Sequence, residues 1–187
     1  LEGSQMDVLN RRNTAAVVAE VMGTAVLTGT ILAVSRSAIG VPYFVALGVG
    51  LTMAMLVLLI GSASGAHVNP AVTVGLWSAR KVSTVRALVY VAAQFLGALA
   101  AYSLYNYLVP TGMQNIAGPT FEWPVLVAEL VGAFIFTFGV AAAVFNGYEG
   151  GQKAATIGGS LAVGIIIAGI ASNGILNPAV ALGVDSW

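Results

Sequence analysis

The sequence predicts an all-α membrane protein, a helical bundle of two related halves inserted in opposite directions, with two short helices that enter without crossing. Three observations carry this. Of 187 residues, 58% are hydrophobic and 7% charged, with a mean hydropathy of +0.93, where soluble domains carry roughly a quarter charged residues. No Asp, Glu, Lys or Arg lies between Arg36 and Arg80, between Arg86 and Glu122, or between Lys153 and Asp185, and a membrane helix needs ~20 mostly apolar residues. Finally, two different motifs recur at nearly the same separation along the chain.

Composition also removes function classes. Seven Lys+Arg balance seven Asp+Glu for a net charge of +0, so no basic surface exists for nucleic acid. With 0 Cys, disulfides, thiol catalysis and Cys-ligated metals are excluded. No nucleophile–base pair, metal-ligand cluster or phosphate loop is visible, so neither enzyme chemistry nor a cofactor or metal is expected. The 23 glycines suit a bundle in lipid, where small residues let helices approach closely.

The whole chain, 1–187, reads as one transmembrane domain: a tail over 1–12, a first repeat over 13–108 and an incomplete second repeat over 122–187. Leu1-Glu2-Gly3-Ser4 resembles a cloning remnant ahead of Met6. Five spans are expected near 14–35, 43–61, 85–108, 124–146 and 155–172. The first runs beyond signal-peptide length without a cleavage site and is kept as a span. Arg11, Arg12, Arg80, Lys81, Arg86 and Lys153 fall on one side, leaving only Arg36 of the basic residues on the other. The positive-inside rule then puts the N-terminus in the cytoplasm of a plasma or inner membrane and the 109–123 connection outside. Trp123, Tyr105, Tyr107 and Trp77 fall near interfaces, as amphipathic rings prefer.

The repeat is explicit. Ala19-Glu20-Val21-Met22-Gly23 returns as Ala128-Glu129-Leu130-Val131-Gly132, an offset of 129 − 20 = 109. Asn69-Pro70-Ala71-Val72-Thr73-Val74-Gly75 returns as Asn177-Pro178-Ala179-Val180-Ala181-Leu182-Gly183, an offset of 177 − 69 = 108 with five of seven residues identical. An odd number of spans separates the two Ala-Glu motifs, so the second half enters from the opposite side as an inverted repeat. Each Asn-Pro-Ala follows a complete span and a small-residue stretch, Gly61–His67 or Gly169–Gly174. Each opens a segment too short to cross, near 70–78 and 178–187. Asn suits the N-cap and Pro the first helical position. Two re-entrant half-helices therefore meet near the midplane, where irregular backbone is tolerated only inside protein or along a wet cavity.

These residues resemble the aquaporin or major-intrinsic-protein family, whose signature is a pair of Asn-Pro-Ala boxes on opposed half-helices. Ser64-Gly65-Ala66-His67-Val68-Asn69-Pro70-Ala71-Val72-Thr73-Val74-Gly75-Leu76-Trp77 is similar to its first box, and Ala19-Glu20 with Ala128-Glu129 to the motifs opening its halves. The resemblance implies an aquaglyceroporin-like pore for water and small neutral solutes, with boxes Asn69, Pro70, Ala71 and Asn177, Pro178, Ala179. It implies a ladder of carbonyls from Gly65, Ala66, His67, Val68, Asn173, Gly174, Ile175 and Leu176. His67 matches a pore-lining position; a buried histidine with its bonds satisfied is the alternative. The resemblance also implies a homotetramer in the bilayer and a sixth span beyond Trp187.

By spacing from the boxes, the selectivity filter falls on Val49, Ile165, Gly174 and Val180. Water-selective members carry an aromatic ring, often a His, and an Arg there, and glycerol-type members follow the second box with Arg-Asp. None of these is present, so the filter is atypical and apolar. Glu20 and Glu129, acids within spans, are expected to accept backbone N–H bonds from the two re-entrant loops. A proton path is the alternative, but it would need a file of titratable partners. At the level of function, a secondary transporter or a non-conducting structural protein on this scaffold are the alternatives to a passive channel. An ion gradient dependence would distinguish the former, and an absence of swelling in vesicles the latter.

Overall fold

The computed structural model describes residues 11–36, 42–111 and 121–184. Its elements are α1 (Arg11–Arg36), α2 (Pro42–Ser64), α3 (Pro70–Ser78), α4 (Thr84–Leu108), α5 (Trp123–Phe145), α6 (Gly150–Ala168) and α7 (Pro178–Gly183). Five of these are long and apolar enough to cross a membrane, and α3 and α7 are the two short helices of the boxes. The architecture is the all-helical inverted-repeat bundle that the sequence predicts. The tail over 1–10, the middle of the connection after α4 and the last three residues of the second predicted half-helix lie outside the described residues.

Two spans differ in register from their predicted bounds. α2 continues to Ser64 instead of ending at 61, because Gly61-Ser62-Ala63-Ser64 are small residues that an apolar helix accommodates. Gly65, at φ +94°, then turns the chain out of the helix. α6 occupies Gly150–Ala168 instead of 155–172. The predicted span leaves Lys153 in the preceding loop, yet its side chain can run out to the interface from within the first helical turn. At the other end Gly169 caps the helix, and Ile170–Ser172 form a turn.

Packing follows the small residues. α2 crosses α6 at Gly50 and Gly158, positions related by the repeat offset of 158 − 50 = 108. A Cβ on Gly50 would lie 2.6 Å from the Gly158 carbonyl oxygen, and one on Gly158 would run into that of Gly50. On α4, Gly97 lies against the Val21 backbone of α1. Ser160, Gly164 and Ala168 on α6 face Gly139 and Gly132 of α5. These stripes of small residues therefore pack helices within the protomer. Dispersion between closely fitted backbones supplies the contact energy here, since lipid removes the hydrophobic drive between helices.

The short helices interlock the halves. α3 follows α2 but packs on α5 as well as α4, and α7 packs on α4 and α1 as well as on α3. Each box is thereby seated partly on long helices of the opposite repeat.

Candidate functional site

Each half-helix opens the same way. Asn69 has extended backbone (φ −157°, ψ 121°), and its Oδ1 accepts the Ala71 N–H at 2.8 Å. Asn177 (φ −146°, ψ 108°) accepts the Ala179 and Val180 N–H groups at 3.1 and 3.3 Å. These are N-caps with Pro at the first helical position, where its missing N–H costs nothing.

The amide nitrogens tie the halves together. Asn69 Nδ2 donates to the Leu176 carbonyl at 2.9 Å, and Asn177 Nδ2 donates to the Val68 carbonyl at 2.8 Å. Each amide has two hydrogens, so one remains on each side chain. Both asparagines line a cavity of about 10 Å³, with Leu27, Ile31, Val49, Met53, Val68, Phe136, Leu161, Ile175 and Val180. That is room for about one water molecule. Apart from the two amides, every side chain around it is apolar.

The loops before the boxes are built to aim backbone inward. Ala66 (φ 52°) and Val68 (φ 43°) in the first loop and Gly174 (φ 63°) and Leu176 (φ 52°) in the second are left-handed, matched by the offset of 108. For the β-branched Val68 this conformation is an outlier, costing about 1–3 kcal/mol. The bonds that hold it are visible. Glu20, fully buried, accepts the His67 N–H at 3.0 Å, the Val68 N–H at 2.7 Å, the Ser64 hydroxyl at 2.6 Å and the Gln94 amide at 2.8 Å. Glu129 accepts the Ile175 and Leu176 N–H groups at 3.0 and 2.8 Å. Ser64 and Ser172 repeat one another too, each accepting the N–H two residues on at 3.0 Å.

Gln94 and Thr73 escaped the sequence reading. Gln94 Nε2 donates to both Glu20 and the Thr73 hydroxyl, the latter at 2.9 Å. Thr73 Oγ1 donates to the Asn69 carbonyl at 3.1 Å and meets His67 Nδ1 at 3.1 Å. With its one hydrogen on Asn69, that hydroxyl accepts from His67, so Nδ1 carries the proton and Nε2 is left as an acceptor. A glutamine in the middle of an otherwise apolar span was the available signal. Tyr90 adds a hydroxyl donated to the Ser64 carbonyl at 3.0 Å.

The four predicted filter positions separate into two pairs. Val49 and Val180 line the central cavity beside the asparagines. Ile165 and Gly174 are absent from that lining and face each other, a Cβ on Gly174 lying 2.9 Å from the Ile165 carbonyl oxygen. Among the predicted ladder carbonyls, those of Val68 and Leu176 are engaged by the opposite asparagine. Gly65, Ala66 and His67 line a second cavity of about 170 Å³ on the side of Lys81 and Lys153. Asn173, Ile175 and Leu176 line a groove of about 340 Å³ along α5 with Glu129.

Comparison with known proteins agrees with this geometry. Residues 7–185 match the family model described as major intrinsic protein. The lens fiber major intrinsic proteins of Rattus norvegicus and Homo sapiens are each 37% identical over 143 residues, 72% of this chain and 54% of theirs. Aquaporin PIP2-4 of Oryza sativa subsp. japonica is 40% identical over 96 residues, 48% of this chain and 34% of its own. The chain thus spans about half the length of the curated relatives it matches. In fold, it is similar to the X-ray structure of the aquaglyceroporin from Plasmodium falciparum, with a TM-score of 0.77, 24% identity, and coverage of 91% of this chain and 79% of that one. With two capped half-helices exchanging bonds at one small cavity, and a family match over nearly its whole length, the chain belongs to the major intrinsic protein family.

Proposed function

We propose that the protein is a passive transmembrane channel for water and small neutral solutes of the glycerol, urea and ammonia class. The observation that carries this reading is the central cavity, where two half-helix N-termini present one spare amide hydrogen each to space for about one water. A water accepting from both asparagines turns its own hydrogens away from the centre, which breaks a proton chain. The positive ends of the two helix dipoles add a barrier to cations.

The selectivity follows from the walls. Val49 and Val180 offer no side-chain hydrogen bond, and no guanidinium follows the second box. Such a passage discriminates by size and by the cost of stripping a solute's water. Glu20 and Glu129 serve as loop anchors, and the protein is not an enzyme. By the resemblance it is a homotetramer with one pore per protomer, in a plasma or inner membrane with its N-terminus in the cytoplasm.

Stopped-flow swelling of proteoliposomes tests the reading. The expected result is accelerated water flux with high permeability to glycerol, urea or ammonia relative to water-selective relatives, and no dependence on an ion gradient. Vesicles that behave like protein-free ones, or flux driven by an ion gradient, would overturn it. Water flux with exclusion of every larger solute would overturn the filter assignment.

A further inference from the structure

The cavity of about 170 Å³ at one end of the predicted pore is lined by Gly65, Ala66 and His67, by apolar side chains, and by Lys81 and Lys153. The two lysines reach it by different routes. Lys81 follows Arg80, a non-glycine residue at φ 58°, a conformation costly for an L side chain. The Arg80 and Lys81 N–H groups bond back to the Trp77 and Leu76 carbonyls at 2.9 and 2.8 Å. That turn brings Lys81 Nζ to 4.5 Å from the centre of the Phe145 ring. Lys153 sits in the first turn of α6, next to the positive end of its dipole, where a cation is disfavoured.

Neither lysine pairs with a carboxylate among the described residues. The acids there are few. Glu20 and Glu129 are bound to the re-entrant loops, and Glu122 stands at the start of α5. Glu149, beside Lys153, makes no side-chain cap bond to α6.

We propose that this vestibule is a binding site for a small phosphate-class anion, held between Lys81 and Lys153, whose occupancy blocks the pore at that end. An anion there meets two cations that no carboxylate pairs among the described residues, one of them over the Phe145 ring, and gains from the α6 terminus. The space of about 170 Å³ is ample for a phosphate group. Inorganic phosphate and a lipid phosphodiester headgroup supply the same chemistry. The block depends on the proposed pore, while binding does not.

The probe is inorganic phosphate. Its binding to the purified protein in detergent is read from ³¹P line broadening, and its effect on water flux from swelling of phosphatidylcholine proteoliposomes with phosphate on both faces. Each protein is normalised to its own phosphate-free flux. Lys81→Gln and Lys153→Gln should each weaken binding about ten-fold, the worth of one charge-assisted contact. Arg12→Gln, which removes a cation from α1 outside the vestibule, should leave binding unchanged. A flux block present without added phosphate only in phosphatidylglycerol vesicles, and lifted in the double lysine variant, identifies the headgroup as the source. Equal binding by wild type and the double variant overturns the site, and lysine-dependent binding without any change in flux overturns the block. A protein that binds phosphate through the lysines but passes no water refutes the pore and keeps the site.

Discussion

Replacing Glu20 with Gln should destabilise the protein clearly more than the same change at Glu129. Glu20 is fully buried and takes four donors on two oxygens, whereas half-buried Glu129 takes two. The amide nitrogen of Gln fits best in place of Oε1, because the Ser64 hydroxyl bonded there can rotate and accept instead. The His67 N–H then loses its acceptor inside the protein, at about 1–3 kcal/mol, and the other bonds lose their charge assistance. The sum is about 2–4 kcal/mol, or about 5–15 °C in Tm for a chain of this size. At Glu129 one N–H is stranded where solvent or neighbours can reach it, for about 1 kcal/mol. Thermal unfolding in detergent, followed by tryptophan fluorescence, reads the difference. The anchor argument fails if Glu129→Gln costs as much as Glu20→Gln. It also fails if Glu20→Gln leaves Tm unchanged while removing a proton-gradient dependence of flux.

Val180→Arg places a guanidinium in the wall of the central cavity and should lower glycerol permeability relative to water, as measured by swelling with each solute; an unchanged ratio would move the constriction elsewhere. Gly158→Ala pushes a methyl into the Gly50 carbonyl and should cost about 1–3 kcal/mol by overpacking, seen as a lower Tm, with Gly159→Ala as the neutral control because open space surrounds it. Asn177→Ala removes the cap on two N–H groups and the bond to Val68, about 2 kcal/mol or more, and should raise cation leak measured with a membrane-potential dye.

The large features were legible because they are periodic or punctuated. Charge-free stretches set the spans, the offsets of 108 and 109 exposed the duplication, the odd number of spans between its copies exposed the inversion, and Asn followed by Pro marked both half-helix starts. Register was less legible. In sequence Lys153 reads as a boundary, although a long aliphatic stem lets a charge sit inside the first turn of α6. Side-chain traffic around the boxes was hidden for a different reason. Gln94 reaches Glu20 from 74 residues away in sequence, and only the packing of α4 on α1 brings them together. Gly50 and Gly158 obey the same offset as the boxes, so their crossing was available to a more patient search for paired small residues. The filter spacing assumed that counting back from the second box keeps the family's register. Val49 and Val180 share the cavity wall, while Ile165 and Gly174 turn to each other.

The exchange of half-helices has a mechanical consequence. A pump that alternates its access swings one half against the other as a rigid body. Here α3 is gripped by α5, α7 by α1 and α4, and the two asparagines each hold a carbonyl of the opposite loop. A swing would drag each short helix out of a foreign socket and strand polar backbone at mid-depth, where no solvent can recover it. In the proposed channel, throughput is then set by a static wall instead of a cycle. Flux through such a duct should rise in proportion to solute concentration without a turnover limit, and should show the shallow temperature dependence of diffusion.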